Sequence, residues 1–148
     1  MIIQTKFHGE QKINNEEIIS FKAGIPGFIE EKEFYILPLE DTPLNVLQSI
    51  HTKEVAFIIT DPFSFFTQYE FEIPQDTIES LKIESEKDVA VFAILTVKEP
   101  FDLTTANLQA PVIINQINKQ GKQLILNNVC YTTRHFLVNS TVVQQEGK

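Results

Sequence analysis

The feature that most constrains the fold of this chain is a series of short segments rich in β-branched and aromatic residues and bounded by turn-forming residues. Such segments are typical of β-strands, because these side chains pack well on a pleated surface. Ten of them occur, at residues 2–7, 18–21, 34–39, 46–50, 55–60, 69–73, 89–97, 112–115, 123–126 and 130–133. So many short strands argue against a helical bundle and predict an all-β, mainly antiparallel, barrel-like domain.

Two of these segments predict the core of the barrel. Residues 55–59 and 89–95 are apolar at every position. A strand with one wet face alternates polar and apolar residues, so continuous apolar segments indicate strands covered on both faces. Between two other strands, residues 118–122 predict a hairpin turn in which Gly121 takes a positive φ at little cost.

One segment predicts a short helix, so the expected fold class is all-β with one or two short helices. It follows Pro74, with Asp76 as the expected N-cap and Ile78 and Leu81 on one face. We expect it to cover or plug one end of the barrel. No internal repeat or long linker divides the sequence, which predicts a single domain over residues 1–137 and a polar, frayed tail over residues 138–148.

Length and composition suggest a cytoplasmic protein with no membrane partner. A chain of 148 residues is long enough to bury a core without a disulfide or metal, and Cys130 is its only cysteine, which fits a reducing compartment. The N-terminal residues lack a basic leader followed by an apolar stretch. The longest apolar run, residues 89–95, is far shorter than the roughly 20 residues that cross a bilayer as a helix.

Charge is distributed unevenly along the chain. The formal net charge is −8; residues 30–102 carry 16 acidic and 5 basic side chains, whereas residues 103–148 carry 1 acidic and 4 basic ones. Because nucleic-acid affinity comes largely from lysine and arginine, this balance disfavours direct nucleic-acid binding. It permits a basic protein partner, and it is equally consistent with acidity that serves only solubility.

The sequence offers no positive reason to propose catalysis or a cofactor. His8, His51 and His135 have no metal-ligand spacing, and we expect ordinary surface or hydrogen-bonded histidines. Cys130 and His135 could form a nucleophile pair, but no oxyanion-hole motif accompanies them, so a buried structural cysteine is the better interpretation. No nucleophile elbow, phosphate-binding loop or dinucleotide fingerprint is present. We therefore predict no catalytic residue, metal, cofactor or small-molecule substrate.

An aromatic segment is the first candidate for recognition. Five of the fifteen aromatic residues lie within residues 63–71. On an extended chain Tyr69 and Phe71 share one face while Glu70 and Glu72 form an acidic strip on the other. Two interpretations remain for the neighbouring phenylalanines: all three are folded into the core, or at least one is an exposed anchor rimmed by acid. The candidate partner-binding residues are Phe63, Phe65, Phe66, Tyr69, Glu70 and Glu72.

Two glycine- and proline-containing segments have mainly structural interpretations. In GIPGF, Pro26 fixes φ and Gly27 permits the left-handed position of a type II turn. The flanking Ile25 and Phe28 either staple the loop to the core or present it to a partner. The second segment, residues 104–111, is expected to be a structured crossover into the strand 112–115. The family-motif residues with an expected structural role are Gly24, Ile25, Pro26, Gly27, Phe28, Asn107, Leu108, Ala110 and Pro111.

Together these motifs resemble the FliW family of flagellar assembly factors. The resemblance covers about residues 2–136, nearly the whole chain, and rests chiefly on GIPGF and TANLQAPVIIN in this order. Weaker support comes from residues 6–9, 34–39, 61–63, 89–95 and 134–135. The tail after Phe136 matches no feature of the family.

The resemblance implies a barrel-like, non-enzymatic regulator with two mutually exclusive protein partners. These are the translational repressor CsrA and flagellin. By this resemblance, the free protein is expected to bind CsrA and relieve repression of flagellin mRNA, until accumulating flagellin captures the protein. CsrA binds RNA and so carries basic surface, which an acidic region attracts, and an aromatic groove suits the apolar terminal segments of flagellin.

Two other functional classes remain as alternatives. A small β-barrel nucleic-acid-binding module would use the aromatic residues as stacking platforms, but it needs a basic groove. The only net-positive portion of the chain is the C-terminal one, at +3 over residues 103–148. A hydrolase would need two paired carboxylates in a pocket, and nothing in the sequence marks such a pair.

Overall fold

The computed structural model describes residues 1–127 and 130–137. Its strands are β1 Ile2–Gln4, β2 Glu10–Lys12, β3 Ile19–Ser20, β4 Glu33–Pro38, β5 Asn45–Ser49, β6 Ala56–Thr60, β7 Val89–Thr96, β8 Thr105–Asn115, β9 Gln120–Gln123 and β10 His135–Phe136. The helix α1 is Gln75–Ser80, and single 3₁₀ turns occur at Asn15–Glu17, Pro62–Ser64, Glu86–Asp88 and Phe101–Leu103.

Seven strands form a closed barrel. Antiparallel ladders run in the order β8, β7, β6, β5, β4 and β3. Strand β3 then pairs with β9 in parallel through Ser20 and Gln120, and β9 pairs antiparallel with β8, which completes the ring. The first half of β8 also carries β10, and β1 and β2 form a separate two-stranded sheet. The predicted all-β, barrel-like fold with short helices is confirmed.

Strand β8 is bent by a wide bulge. Val112 pairs with Phe92 of β7 and Asn107 pairs with Ile94, so residues 108–111 of β8 lie opposite a single residue of β7. The Asn107 side chain accepts hydrogen bonds from the backbone N–H groups of Gln109 at 3.1 Å and Ala110 at 3.0 Å. Pro111 has no N–H to satisfy. The expected crossover at residues 104–111 is therefore wrong, because all but the first of these residues belong to β8 itself.

The sheet has a core on each of its faces. Residues from every barrel strand from β3 to β8 meet in an inner cluster: Ile19, Phe34, Leu47, Ile59, Ile94 and Val112 are among them. On the other face of β7 and β8, Ala93, Leu95 and Ile113 form an outer cluster with residues from the rest of the chain. Strand β7 thus packs against a cluster on each face, as its continuous apolar sequence predicted, although only Ala93 and Leu95 of the strand are fully buried.

Helix α1 packs against the outer face of the barrel. Leu81, just after the helix, is buried in the outer cluster, so of the two expected roles, plugging or covering one end of the barrel, plugging is wrong. Asp76 does not cap the helix, since Pro74 occupies the N-cap position and provides no side-chain hydrogen bond. The other end is fixed by Asn115 and Asn118, which donate to the Leu81 carbonyl oxygen at 2.9 and 3.0 Å.

Several strand predictions need correction. Residues 69–73 and 130–133 are extended or irregular without a ladder, and the segment predicted at 123–126 lies mostly after β9. The polar strand β2 was not predicted, because three residues of EQK carry no apolar alternation. The predicted tail, residues 138–148, lies outside the described residues.

The expected positive φ lies at Lys119 rather than at Gly121. The φ of Lys119 is 59°, whereas Gly121 lies within β9. A Cβ atom on Gly121 would stand 2.8 Å from Cζ of the buried Phe21 ring. Glycine is required here because the ring of Phe21 lies directly against the backbone, not because of turn geometry.

Replacing Gly121 by alanine is therefore expected to destabilise the fold by about 1–3 kcal/mol through overpacking. Urea unfolding of G121A, F21L and the double variant measures the effect. We expect G121A to cost less free energy in the F21L background, because leucine leaves room for the added methyl group. Strictly additive costs would show that Phe21 is not the obstacle.

Candidate functional site

An apolar groove with acidic residues at its rim lies on the outer face of the barrel. Its volume is about 640 Å³. It is lined by Phe63, Tyr69, Glu70, Phe71, Glu72, Ile73, Ile78, Ile83, Glu86, Val89 and Val91. These residues come from the segment before α1, from α1 and the chain after it, and from the start of β7. We call this feature the outer groove.

One wall of the outer groove is the extended segment 69–73. Tyr69 is buried and Phe71 is half-buried, whereas Glu70 and Glu72 are exposed. The alternation predicted from the sequence is therefore present although the segment pairs with no strand. Its apolar side chains face the outer cluster and its carboxylates face solvent.

The three neighbouring phenylalanines divide between surface and core. The Asp61 carboxylate accepts a hydrogen bond from the Phe63 backbone N–H at 2.9 Å and so starts the 3₁₀ turn Pro62–Ser64. Phe63 is 43% exposed, with its ring centroid 5.6 Å from that of Tyr69. Phe65 and Phe66 are half-buried against the outer cluster. The interpretation that places all three rings in the core is wrong for Phe63.

Tyr69 joins the groove wall to the bulge of β8. Its hydroxyl donates to the Leu108 carbonyl oxygen at 2.7 Å. Burial raises the pKa of Tyr69, and the neighbouring Tyr131 raises it further. The Tyr131 hydroxyl in turn accepts the Glu70 backbone N–H at 3.1 Å. The wall is thus held by side-chain hydrogen bonds in place of a strand ladder.

His135 stabilises the same region from the other side of the bulge. Its Nε2 atom accepts the Thr132 backbone N–H at 2.9 Å, which requires a neutral imidazole. The Thr132 carbonyl oxygen accepts the N–H groups of Leu108 and Gln109 at 3.1 and 3.2 Å. Burial lowers the pKa of His135, in agreement with this acceptor role. Its ring lies edge-on to Phe66 at 6.1 Å.

The motif residues of β8 serve the fold rather than the groove surface. Leu108, Ala110 and Pro111 are buried, and Asn107 is half-buried with its side chain turned to the bulge backbone. None of the four lines the outer groove.

The GIPGF loop does not join the outer groove. Gly27 has a φ of 87°, and the Phe28 N–H donates to the Ile25 carbonyl oxygen at 2.6 Å, as the predicted turn at Pro26 requires. Ile25 is 1% exposed, whereas Phe28 is 42% exposed and packs edge-on against Phe57 at 5.3 Å. Ile25 staples the loop and Phe28 stays at the surface. Gly24 is required by its positive φ of 71° and by the Ile29 backbone beside it.

The rim of the outer groove is uniformly acidic. Glu70, Glu72 and Glu86 line it, and none of them forms an ion pair within residues 1–127 and 130–137. Their negative charge is therefore available to a partner. The sequence indicated Glu70 and Glu72 through their alternation, but it gave no signal for Glu86, Ile83 or the start of β7, which folding alone brings to this site.

Cys130 is exposed, so the predicted buried cysteine is wrong. The reason is that residues 130–133 form no strand. Within the described part of the chain no group of three or more His, Cys, Asp and Glu side chains is placed to hold a metal ion. Across the same residues, no helix has the length and apolar character needed to cross a membrane.

Comparison with known proteins gives one consistent result. The family model described as "FliW protein" matches residues 2–137. The chain is 51% identical over 144 residues to the flagellar assembly factor FliW of Geobacillus kaustophilus (strain HTA426), covering 97% of this chain and 100% of that protein. It is 52% identical over 136 residues to the protein of the same name from Bacillus subtilis (strain 168), covering 91% and 95%.

A solved structure agrees with the fold. The crystal structure of a flagellar assembly factor FliW superimposes with a TM-score of 0.89 at 50% sequence identity. The match covers 93% of this chain and 96% of that one.

The hydrogen bond to His135 predicts a pH dependence of stability. An unfolded histidine has a pKa of about 6.5 and the folded pKa is lower, so the unfolded chain binds the proton more readily in the window between them. Stability should be fully present above about pH 6.5 and fall as the pH decreases through that window. His135→Gln retains an acceptor for Thr132 without titrating, and thermal melts from pH 8 to 5 should show a smaller decrease for H135Q. Parallel curves for the two proteins would contradict this role.

Proposed function

The chain belongs to the FliW family of flagellar assembly factors, and on that premise we propose that it is a non-enzymatic regulator that binds CsrA and flagellin in a mutually exclusive manner. In this proposal the free protein binds CsrA and relieves repression of flagellin synthesis. Flagellin that accumulates then occupies the protein as a chaperone substrate and releases CsrA. Both partners are proteins, and neither nucleic acid nor a small-molecule substrate contacts the chain.

The observation that carries the proposal is the outer groove, which combines an apolar floor, an exposed aromatic ring and a carboxylate rim. Protein-binding hot spots are aromatic anchors in an apolar centre surrounded by polar residues. Phe63, at 43% exposure, has this position beside the buried Tyr69. The groove therefore suits a protein surface that supplies apolar side chains in the centre and cations at the edge.

The acidic rim favours CsrA as one occupant. An RNA-binding protein carries basic surface, which Glu70, Glu72 and Glu86 would attract during the diffusional encounter. After docking, the same carboxylates would repel RNA phosphates within a distance of about 8 Å at physiological salt. This repulsion lowers RNA affinity without requiring the groove to cover the RNA site.

The apolar floor favours flagellin as the other occupant. An amphipathic helix binds by laying its apolar face into a hydrophobic groove. The outer groove, of about 640 Å³ and lined by isoleucine, valine and aromatic residues, offers such a floor. Because both partners would use the same groove, they exclude each other by direct overlap.

The alternative of a nucleic-acid-binding module is disfavoured by the same geometry. The exposed ring of Phe63 that could stack on a base stands among carboxylates. These carboxylates repel the phosphates of any strand that approaches the ring.

Charge reversal of the rim should slow CsrA association. Replacing Glu70 and Glu72 by lysine is expected to reduce the association rate constant about threefold to tenfold at low salt, with a smaller effect at high salt. Stopped-flow mixing measures the rates. Glu30→Lys with Glu54→Lys is the matched control, since it changes two exposed carboxylates outside the groove and the net charge by the same amount. Equal slowing by both pairs would assign the effect to overall charge, and an unchanged rate would remove the rim from the footprint.

Removal of the exposed ring should weaken both partners. Phe63→Ala is expected to lower the affinity for CsrA and for flagellin about tenfold or more, with little change in Tm, because the ring is an exposed anchor. A competition pull-down with purified CsrA and flagellin compares the binding of the two partners, and a thermal melt measures Tm. Phe65→Ala is the contrasting variant and should lower stability by about 2–3 kcal/mol, less than for a fully buried ring, since Phe65 is half-buried against the outer cluster. Loss of only one partner in F63A would contradict a shared groove, and failure of flagellin to displace CsrA from the unaltered protein would contradict the partner switch.

A further inference from the structure

A second pocket lies where β7, β8 and β10 lie side by side. Its volume is about 290 Å³, and it is lined by Thr96, Lys98, Leu103, Thr105, Arg134 and Phe136. None of these residues lines the outer groove. We call this feature the basic pocket.

Strand register places these side chains on one face. Thr105 of β8 pairs with Thr96 of β7 and with Phe136 of β10, and directly opposed residues of antiparallel strands project to the same side. Lys98 follows Thr96 by two positions and Arg134 precedes Phe136 by two, so alternation directs both cations to that side. Because β7 and β10 both run antiparallel to β8, the two cations lie beyond opposite ends of the row formed by Thr96, Thr105 and Phe136.

The buried Thr104 holds both edges in place. Its hydroxyl oxygen accepts the Lys98 backbone N–H at 3.0 Å, and its carbonyl oxygen accepts the Leu137 backbone N–H at 3.0 Å. Thr104 is 0% exposed. The 3₁₀ turn Phe101–Leu103 just before it brings Leu103 over the pocket. The shape of the pocket is thus set by buried backbone contacts rather than by its own surface side chains.

The charge of the basic pocket is opposite to that of the protein. The chain carries a net charge of −8, and Arg134 is its only arginine. No carboxylate lines the pocket, and neither Lys98 nor Arg134 forms an ion pair within residues 1–127 and 130–137. Two cations with no carboxylate partner there and two exposed apolar side chains, Leu103 at 47% and Phe136 at 45%, share one site.

We propose that the basic pocket binds an acidic, apolar-containing segment of a protein partner. Carboxylates of that segment pair with Lys98 at one end of the pocket and with Arg134 at the other, where the guanidinium group can bind both oxygens of one carboxylate. A neighbouring apolar side chain covers Leu103 and Phe136, which are exposed without it. The exposed Leu103 and Phe136 distinguish this ligand from a simple anion, which two cations alone would satisfy. The site shares no lining residue with the outer groove. It would engage an acidic region of a partner, whereas the outer groove suits a basic one.

The test is an NMR titration of the full-length ¹⁵N-labelled protein with the acetylated, amidated tetrapeptide LEDF. We expect saturable shifts of the backbone amides of Thr105 and Phe136. The neutral peptide LQNF should produce much smaller shifts at the same concentration, because it lacks the carboxylates. Equal shifts by both peptides, or LEDF shifts confined to other parts of the barrel, would overturn the proposal. Sodium acetate that reproduces the LEDF shifts would also overturn it, by showing an anion site without apolar selectivity.

Variants locate the interaction on the two cations. Lys98→Ala with Arg134→Ala is expected to weaken LEDF binding about threefold to tenfold, the range for partly exposed charged hydrogen bonds. The matched control, Lys53→Ala with Lys87→Ala, removes two exposed lysines outside the pocket and should bind LEDF as the unaltered protein does. Arg134→Lys keeps the charge but loses the planar fork, so an intermediate affinity is expected and provides a test with little risk to the fold. Equal affinity in all four proteins would contradict the assignment.

Discussion

The arrangement of this molecule depends on how the backbone N–H and C=O groups in the bulge of β8 find hydrogen-bond partners. Residues 108–111 lie opposite one residue of β7, so their N–H and C=O groups lack the usual ladder partners. They are satisfied instead by the Asn107 side chain, the Tyr69 hydroxyl, the Thr132 carbonyl oxygen and the N–H groups of Leu124 and Leu126. Apart from Asn107 of β8 itself, these partners come from three other stretches of chain, at residue 69, at residue 132 and at residues 124–126, so the bulge fixes the positions of segments that no strand ladder holds.

The outer groove is a consequence of this constraint. Tyr69 anchors the groove wall to Leu108, and Tyr131 fixes the next residue of that wall through the Glu70 N–H. A wall held at one end by side-chain hydrogen bonds leaves Phe71 and Ile73 only half-buried and directed towards β7.

The features that the sequence could predict are those determined by residues within one segment of the chain. The barrel strands were predictable because continuous or alternating apolar residues determine burial within each segment, as in 55–60 and 89–97. Gly121 and Cys130 were misassigned because their environments depend on residues that are remote in sequence. Phe21 lies against Gly121, and the segment 130–133 is hydrogen-bonded to the bulge of β8 through Thr132 instead of forming a strand. The outer groove combines Phe63, the segment 69–73, residues of α1 and the chain after it, and the start of β7, and the sequence indicated only Phe63 and the alternation of 69–73.

The two pockets carry opposite charges. In the outer groove the carboxylates are exposed and easily screened, so they affect mainly the rate of encounter, while burial of apolar surface against the floor determines how long a partner stays bound. If the two proposed partners compete for this groove, the outcome would be decided by apolar fit and by concentration more than by charge. The basic pocket differs because its cations share one site with the exposed Leu103 and Phe136, so a ligand would have to satisfy both kinds of contact at once. A partner that engaged both pockets would gain effective concentration at the second site, and a partner limited to the groove could displace it only by exceeding that gain.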